Sequence, residues 1–401
     1  AEPVGAPPTS DGQRIYLPLR SGQLMALDVK DGHKVWQSTM TTVRPVGEDA
    51  GLVFVAAADA IEALRGSDGK SAWTLPRVKA AAPLLVTGGW IIAATDTEVL
   101  AIRAKDGEVV WRHAAGGVRL QPALDGERVY TGADDGRVLA LALASGDLAW
   151  EKYVQGGVTA LTAHDGRVYV GAGDKYFYCF DAKRGHEAWR RRIGSSVSGR
   201  IAVDDDRVYV AARDNIVYAL DRSNGNQRWL APLHRRPIDG VVARGHIVFV
   251  AVASAELVMF YDKDGRPSGT VGLPGAMLPD IPPDIRETDE GLSVVVVTGG
   301  LSNQWQVTLL ATAGELPLVP VGSLDALPGV MYLTDPLLEP IGTVLGPIIA
   351  GDPELLLATS IGWPVVLTDP PLEPLTTLPG LQLRPLSPAL PPRREERGPG
   401  G

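Results

Sequence analysis

A glycine stands four residues before a tryptophan six times along this chain: Gly32/Trp36, Gly69/Trp73, Gly107/Trp111, Gly146/Trp150, Gly185/Trp189 and Gly225/Trp229. The steps between successive glycines are 37, 38, 39, 39 and 40 residues. So narrow a period marks a repeat architecture, in which each unit buries its apolar faces only against its neighbours. A seventh unit follows in VMFYDKDGRPSG, where Gly265 keeps the turn and Gly269 replaces the tryptophan. An eighth is expected over 291–318, with Gly314 at the turn and Leu318 at the tryptophan position after an insertion of about ten residues.

Within one unit the pattern is that of hairpins. RVYVAAR (207–213) alternates Val208 and Val210 with Tyr209, the period of a half-buried strand. NIVYALD (215–221) is a second strand, after a short turn at Arg213–Asn215. Ser223-Asn224-Gly225 supplies the next turn, with glycine free to take a positive φ. NQRWLAPL (226–233) is a third strand, and the run VSGRIAV (197–203) provides an inner fourth. Four short strands per unit predict one propeller blade each. Helical repeats would need a sustained 3.6-residue apolar period, which is missing, and a β-helix would repeat faster. The recurring tryptophan has a structural reason: a large flat side chain on the outer strand can seal the seam between blades. Trp36, Trp73, Trp111, Trp150, Trp189 and Trp229 are therefore expected to dock neighbouring blades.

Composition narrows the functional classes. With 46 Gly and 32 Pro the chain suits a turn-rich all-β fold. Lys plus Arg total 38 against 47 Asp plus Glu, a net charge of −9 that argues against a general nucleic-acid binder. The lone Cys179 excludes an internal disulfide and any zinc or iron–sulfur site built from several cysteines. The apolar runs 247–260 and 355–367 are broken, the first by Glu256 and the second by Gly362 and Pro364, so neither reads as a transmembrane segment. The opening AEPVGAPPTS has no initiator Met and no charged n-region. It suits an exported chain whose signal has been removed, and equally a trimmed one.

Several local motifs tempt a chemical reading. SDGKS (67–71) ends like a phosphate-binding loop, but Leu64 stands where that motif needs glycine, and the stretch is a repeat turn. Asp134-Asp135-Gly136 and Asp204-Asp205-Asp206 fall at hairpin turns and lack the spaced oxygens of a calcium loop. His33, His113, His164, His186, His234 and His246 lie in different repeats with no metal-like pairing. The sequence thus offers no catalytic, cofactor-binding or metal-binding residue. The most distinctive local feature is basic. Arg190, Arg191 and Arg192 directly follow Trp189, and Arg235 and Arg236 come in HRRP (234–237) at the equivalent point after Trp229, so by repeat symmetry both clusters are expected to emerge on neighbouring blades at the same face of the ring. Arginine clusters suit carboxylate or phosphate partners, while a solvated rim is the plainer reading.

The phrase YALDxxxGxxxW resembles the repeat of pyrroloquinoline-quinone-like β-propellers, strongly over about residues 10–272 and weakly over 291–321. The resemblance implies an all-β fold: a β-propeller of eight four-stranded blades joined by docking tryptophans, with a Pro-rich C-terminal extension. That family includes quinoprotein dehydrogenases and a non-enzymatic branch of similar chain length, the BamB-type subunit of outer-membrane β-barrel assembly. The dehydrogenases carry a vicinal cysteine pair that one cysteine cannot form, and no haem-attachment motif is present. The expected organisation is a propeller over 1–321, ring-closing strands or a wrapping extension over 322–385, and a flexible tail over 386–401. The expected function is a non-enzymatic, exported, periplasmic or outer-membrane-associated scaffold for protein partners, without cofactor. The barrel assembly complex is the nearest partner. The alternatives are a quinoprotein-like oxidoreductase and a structural subunit of another envelope complex.

Overall fold

The computed structural model describes residues 5–272, apart from 30–31, 39–43, 198, 245 and 255, and strands between 276 and 349 beyond them. Seven consecutive four-stranded antiparallel sheets occupy residues 9–38, 47–76, 85–114, 123–153, 158–192, 202–232 and 237–272. We number them blades 1 to 7. Each is a meander in which the four strands pair in chain order. In blade 6 the strands are Ala202–Val203, Arg207–Ala212, Ile216–Asp221 and Gln227–Pro232. These lie within a residue of the last three alternating runs read from the sequence; of the run 197–203, the strand keeps its last two residues, with Val197 bridging Ala212.

The core of this all-β propeller lies between the blades rather than within them. One cluster joins Val208, Val210 and Leu220 of blade 6 to Tyr169, Phe177 and Trp189 of blade 5. The next joins Tyr209, Ala219 and Trp229 of blade 6 to Val248, Val250 and Phe260 of blade 7. Alternate residues of one strand therefore serve opposite neighbours, which is why both faces of every blade read as apolar.

The tryptophans run through these clusters. Trp189 Nε1 donates to the Arg222 carbonyl of the following blade at 3.0 Å. Trp36 reaches Gly66, Trp73 reaches Ala104, Trp111 reaches Leu143, Trp150 reaches Ala182 and Trp229 reaches Asp262 in the same way, at 2.6–2.9 Å. Each indole lies flat on the turn glycine of the next blade. A Cβ at Gly225 would fall 2.5 Å from Trp189 Cε3, and one at Gly107 would fall 2.6 Å from Trp73 Cε3. The turn glycine thus meets two demands, a φ of +73° at Gly225 and room for a foreign ring.

Opposite each tryptophan the third strand carries a small residue: Ala26, Ala63, Ala101, Ala140, Cys179 and Ala219. A bulge follows directly after each of these pairs. Blade 7 inverts the arrangement, pairing Gly269 with Met259. The methionine, 2% exposed, reaches to 3.5 Å from where a Cβ of Gly269 would stand. A large residue from the third strand replaces the missing ring of the fourth.

A final sheet orders its strands Ala276–Met277, Gly291–Gly299, Trp305–Thr312, Val319–Asp325, Val330–Tyr332 and Pro347–Ile349, and Asp284–Thr288 also pairs with Gly291–Gly299. The strand Val319–Asp325 runs through the boundary expected between 321 and 322, and Pro320 sits at a register shift where its missing N–H is tolerated. Gly314 and Leu318 of the expected eighth unit, and everything after Ile349, lie outside the described residues.

Candidate interaction surface

Every outer strand starts at the glycine turn on one face of the propeller and runs out on the opposite face. The turn between the second and third strands and the link to the next blade share that second face. The arginines of interest belong to it, but at different positions. Arg190, Arg191 and Arg192 end the outer strand Glu187–Arg192 of blade 5, paired with Tyr178, Phe177 and Tyr176. Arg235 and Arg236 lie beyond the outer strand of blade 6, in the link to Pro237–Arg244 of blade 7. Aligned on tryptophan, the counterpart of Arg190 is Leu230, so the clusters are not repeat equivalents. Their common feature is composition and face, not register.

The clusters also differ in their freedom. Arg190 stands 3.6 Å from Glu187 and lies over the Tyr176 ring at 5.6 Å, so its position is fixed by a neighbour on each side. The side chains of Arg191, Arg192, Arg235 and Arg236 make no ion pair or hydrogen bond among the described residues, nor do those of Lys175 and Arg213 on the same face. Unpaired cations spread over blades 5 to 7 can receive carboxylates or phosphates without first breaking an internal pair.

On the opposite face two turn carboxylates are satisfied by local donors. Asp204 accepts the N–H groups of Asp206 and Arg207 at 2.8 and 2.6 Å and the Tyr209 hydroxyl at 2.5 Å. Asp11 holds Gln13, Arg14 and Tyr16 in the same manner. The suspected calcium loops are therefore turn caps. On the arginine face, in the turn between the second and third strands of blade 4, Asp135 receives the Arg137 N–H at 3.0 Å and its Nε at 2.7 Å. Asp68 of SDGKS receives Lys70 N at 3.0 Å while the Arg65 guanidinium holds its carboxyl below the usual range. His234 faces Glu256 at 3.0 Å on the arginine face, and His246 faces Asp262 at 3.2 Å on the glycine-turn face, where Arg207 also stands 4.0 Å from the Asp262 carboxylate. Among the described residues no cluster of three or more His, Cys, Asp or Glu side chains could hold a metal ion.

Sequence reasoning missed Arg222, the residue after the repeated aspartate of blade 6. Its guanidinium crosses the seam to Asp165 and Tyr169 of blade 5, at 2.5 and 3.3 Å, and holds the Asp165 carboxyl below its ordinary range. It also missed Tyr153, which is 70% exposed at the end of the blade 4 outer strand. Nothing in local patterning separates such residues from ordinary polar or aromatic strand positions; comparing the repeats position by position would have found both.

Among the described residues no helix is long and apolar enough to cross a membrane. The family described as outer membrane protein assembly factor BamB matches residues 1–88, 20–162 and 154–275. Outer membrane protein assembly factor BamB of Burkholderia pseudomallei (strain K96243) is 28% identical over 129 residues, 31% of this chain and 34% of its own length. The protein of that name from Yersinia pestis is 26% identical over 127 residues, 29% of this chain and 32% of its own. The matched part thus spans about a third of the length of these curated relatives. Among solved structures, BamB from Moraxella catarrhalis superposes with a TM-score of 0.61 at 18% identity, over 73% of this chain and 93% of that one. The computationally designed Ika8 protein gives 0.63 at 16% identity, over 76% and 96%. Quinohemoprotein alcohol dehydrogenase from Comamonas testosteroni gives 0.59 at 14% identity, over 74% and 71%. At these identities the structural likeness speaks for the fold alone.

Proposed function

Because the chain belongs to the outer membrane protein assembly factor BamB family, we propose that it is a non-enzymatic scaffold of the cell envelope that takes part in outer-membrane protein assembly. The family match carries this reading. Two features of the molecule support it. Asp204 and Asp11, which resemble metal-loop carboxylates on the glycine-turn face, are consumed by turn N–H groups and tyrosine hydroxyls. Several cations of the other face are left unpaired over three blades, among the described residues. A propeller locked at its seams presents such a face rigidly, which lowers the ordering cost of binding. The proposed location is the periplasmic side of the outer membrane, and the proposed partners are proteins of the barrel assembly complex.

The test is capture of the tagged full chain from its native envelope. Components of outer-membrane protein assembly should co-purify, and Arg190→Ala, Arg191→Ala, Arg235→Ala and Arg236→Ala together should weaken that capture. Recovery of a different envelope complex would overturn the proposed role. Unchanged capture by the quadruple variant would remove the arginines from the partner surface while leaving the role standing.

A further inference from the structure

The unpaired cations of blades 5 to 7 are not scattered. Backbone hydrogen bonds tie the segments that carry them into one continuous strip. Ile193, directly after Arg192, donates its N–H to the Lys175 carbonyl at 3.0 Å, which joins the end of the blade 5 outer strand to that blade's turn between the second and third strands. Arg213 donates to the Ser196 carbonyl of the same link at 3.1 Å, which carries the strip to blade 6. Leu233 donates to Asn215 at 2.7 Å and Ala253 to Arg236 at 2.9 Å, which carries it on to blade 7. Lys175, Arg191, Arg192, Arg213, Arg235 and Arg236 therefore stand on one row of interlocked turns and links. Arg191 is half-buried and the other five are exposed.

The carboxylates of the same turns are already engaged. Asp174 receives the Tyr176 N–H at 2.9 Å and the Tyr178 hydroxyl at 2.5 Å. Asp214 receives the Ile216 N–H at 3.2 Å and the Tyr218 hydroxyl at 2.7 Å. Gly194 passes so close to it that a Cβ there would overlap the carboxylate. Glu256 faces His234. Elsewhere on this face the arginines are paired: Arg119 with Asp96 and Asp134, and Arg137 with Asp135. Only along the strip does a run of cations stand without side-chain partners among the described residues.

The chain as a whole carries a net charge of −9. At physiological salt, charges farther off than about 8 Å are screened, so an approaching surface meets the strip rather than the net charge. Five of the six cations are arginines, whose planar guanidinium takes two phosphate oxygens at once. Beside the strip, Tyr153 ends the blade 4 outer strand at the same end of the sheets. Its ring lies 3.4 Å from where a Cβ of Gly136 would stand, and it is the most exposed large apolar side chain among the described residues. Tyrosine, apolar in body and polar at its tip, favours the headgroup level of a bilayer. An acidic protein would engage only the cations its own contour reaches. A layer of headgroup phosphates offers an oxygen to each of them and takes the tyrosine ring as well.

We propose that the strip from Lys175 to Arg236, with Tyr153 beside it, docks the propeller on an anionic bilayer surface. The arginines take the lipid phosphates, Tyr153 enters the headgroup layer, and the glycine-turn face looks away from the membrane. This goes beyond the scaffold role and needs from it only a location beside a membrane.

The experiment floats the full chain on a density gradient with vesicles of phosphatidylglycerol and phosphatidylcholine in equal parts, and with vesicles of phosphatidylcholine alone. Binding to the first and not to the second is expected, with loss at high salt. Each cation near such a surface is worth roughly a fivefold change in partitioning. Arg192→Ala, Arg213→Ala, Arg235→Ala and Arg236→Ala together should therefore lower binding by more than about a hundredfold. Lys105→Ala, Lys183→Ala, Arg184→Ala and Lys263→Ala together remove four exposed cations from the glycine-turn face. They change the net charge equally and should leave binding within about twofold. Tyr153→Ala should weaken binding several-fold, and Tyr153→Trp should retain it. Circular dichroism reports whether each variant is folded. Absence of binding to the anionic vesicles, equal binding to phosphatidylcholine alone, or equal loss from the two quadruple variants would overturn the proposal. So would vesicle binding left intact by the arginine changes while capture of envelope proteins is weakened, which would assign the strip to an acidic protein instead. The vesicles hold no protein, so failure here leaves the scaffold role standing.

Discussion

The seam geometry makes a quantitative claim about Gly225 and Trp189 that a double-mutant cycle can test. Trp189 is 7% exposed. An indole buries roughly 200 Å², about 5 kcal/mol gross at 25 cal/mol/Å², and large-to-small changes of this kind cost about 3–5 kcal/mol in practice. Gly225→Ala should act through two separable terms. Its φ of +73° costs an L-residue about 1–2 kcal/mol. Its new Cβ would stand 2.5 Å from Trp189 Cε3 and 2.7 Å from Cδ2, an overpacking worth about 1–3 kcal/mol.

Only the second term needs the indole. In a Trp189→Ala background the methyl added at position 225 enters the space the ring has left, so Gly225→Ala should then cost only its backbone strain. The double variant is expected to be about 1–3 kcal/mol more stable than the sum of the two single changes. The assay is urea unfolding of the four proteins followed by far-ultraviolet circular dichroism, with equal m-values as the condition for comparison. Repeat arrays can open locally, so hydrogen exchange at the Gly225 amide, bonded to the Asp221 carbonyl at 2.8 Å, gives a second reading of the same seam. Additivity within about 0.5 kcal/mol would refute the contact argument, leaving the glycine as a turn residue alone.

Three further outcomes follow from the same structure. Burial, assisted by aspartate hydrogen bonds at Tyr16, Tyr178, Tyr209 and Tyr218, raises several phenols, with Tyr169 and Tyr218 pushed up to about 12. Because the folded-state values lie above the ordinary value of about 10, this stabilisation is complete below pH 10 and is lost as pH rises toward 12. Tyrosinate absorbance should therefore lag on titration until the circular dichroism collapses, and full ionisation of a folded chain near pH 10 would contradict the burial. Burial also pushes the Cys179 thiol up to about 11, so a thiol reagent should react only on unfolding; Cys179→Ala, the residue used opposite tryptophan in five other blades, should cost under about 1.5 kcal/mol. Pyrroloquinoline quinone with calcium should leave an absorbance spectrum equal to the sum of its components, and a tight stoichiometric complex would overturn the non-enzymatic reading.

The strands of blade 6 were legible because alternation, turn residues and period all pointed one way. The glycine was legible only by half. Its turn is local, but the ring above it comes from the previous blade, so the Gly-Trp pair visible in sequence is not the pair that touches. The exchange of Met259 for the missing tryptophan opposite Gly269 was hidden for a related reason: it is a cross-strand compensation, visible only once register is known. Register also separates the two arginine clusters, which the sequence reading had put at equivalent points of the repeat. The described turns explain why Asp204-Asp205-Asp206 looks like a metal loop. Short turns and calcium loops both need closely spaced carboxylates, and what differs is whether N–H groups or a cation receive them.

In an array of similar units, shared residues answer to the contacts that every seam makes. Departures at equivalent positions need another reason, because the fold is already satisfied by the common solution. Here they concentrate on blades 4 to 6: exposed Tyr153, the aromatic file of Tyr176, Tyr178 and Phe180, the triplet Arg190–Arg192, and the seam-crossing Arg222. Blades 2 and 3 carry smaller or aliphatic residues at several of these places, such as Pro76, Ala114, Leu100 and Ile102, in equally continuous sheets. The aromatic and basic side chains are therefore not required for a blade to form. Arg222 stiffens the seam on the glycine-turn face, while Tyr153 and the unpaired arginines stay open to solvent on the other. Exposed aromatic area and unpaired cations on a stiffened part of the ring are what a binding surface needs and what a merely stable blade does not. That difference supports the proposal that the interaction side of this propeller lies on blades 4 to 6, on the face where the outer strands run out.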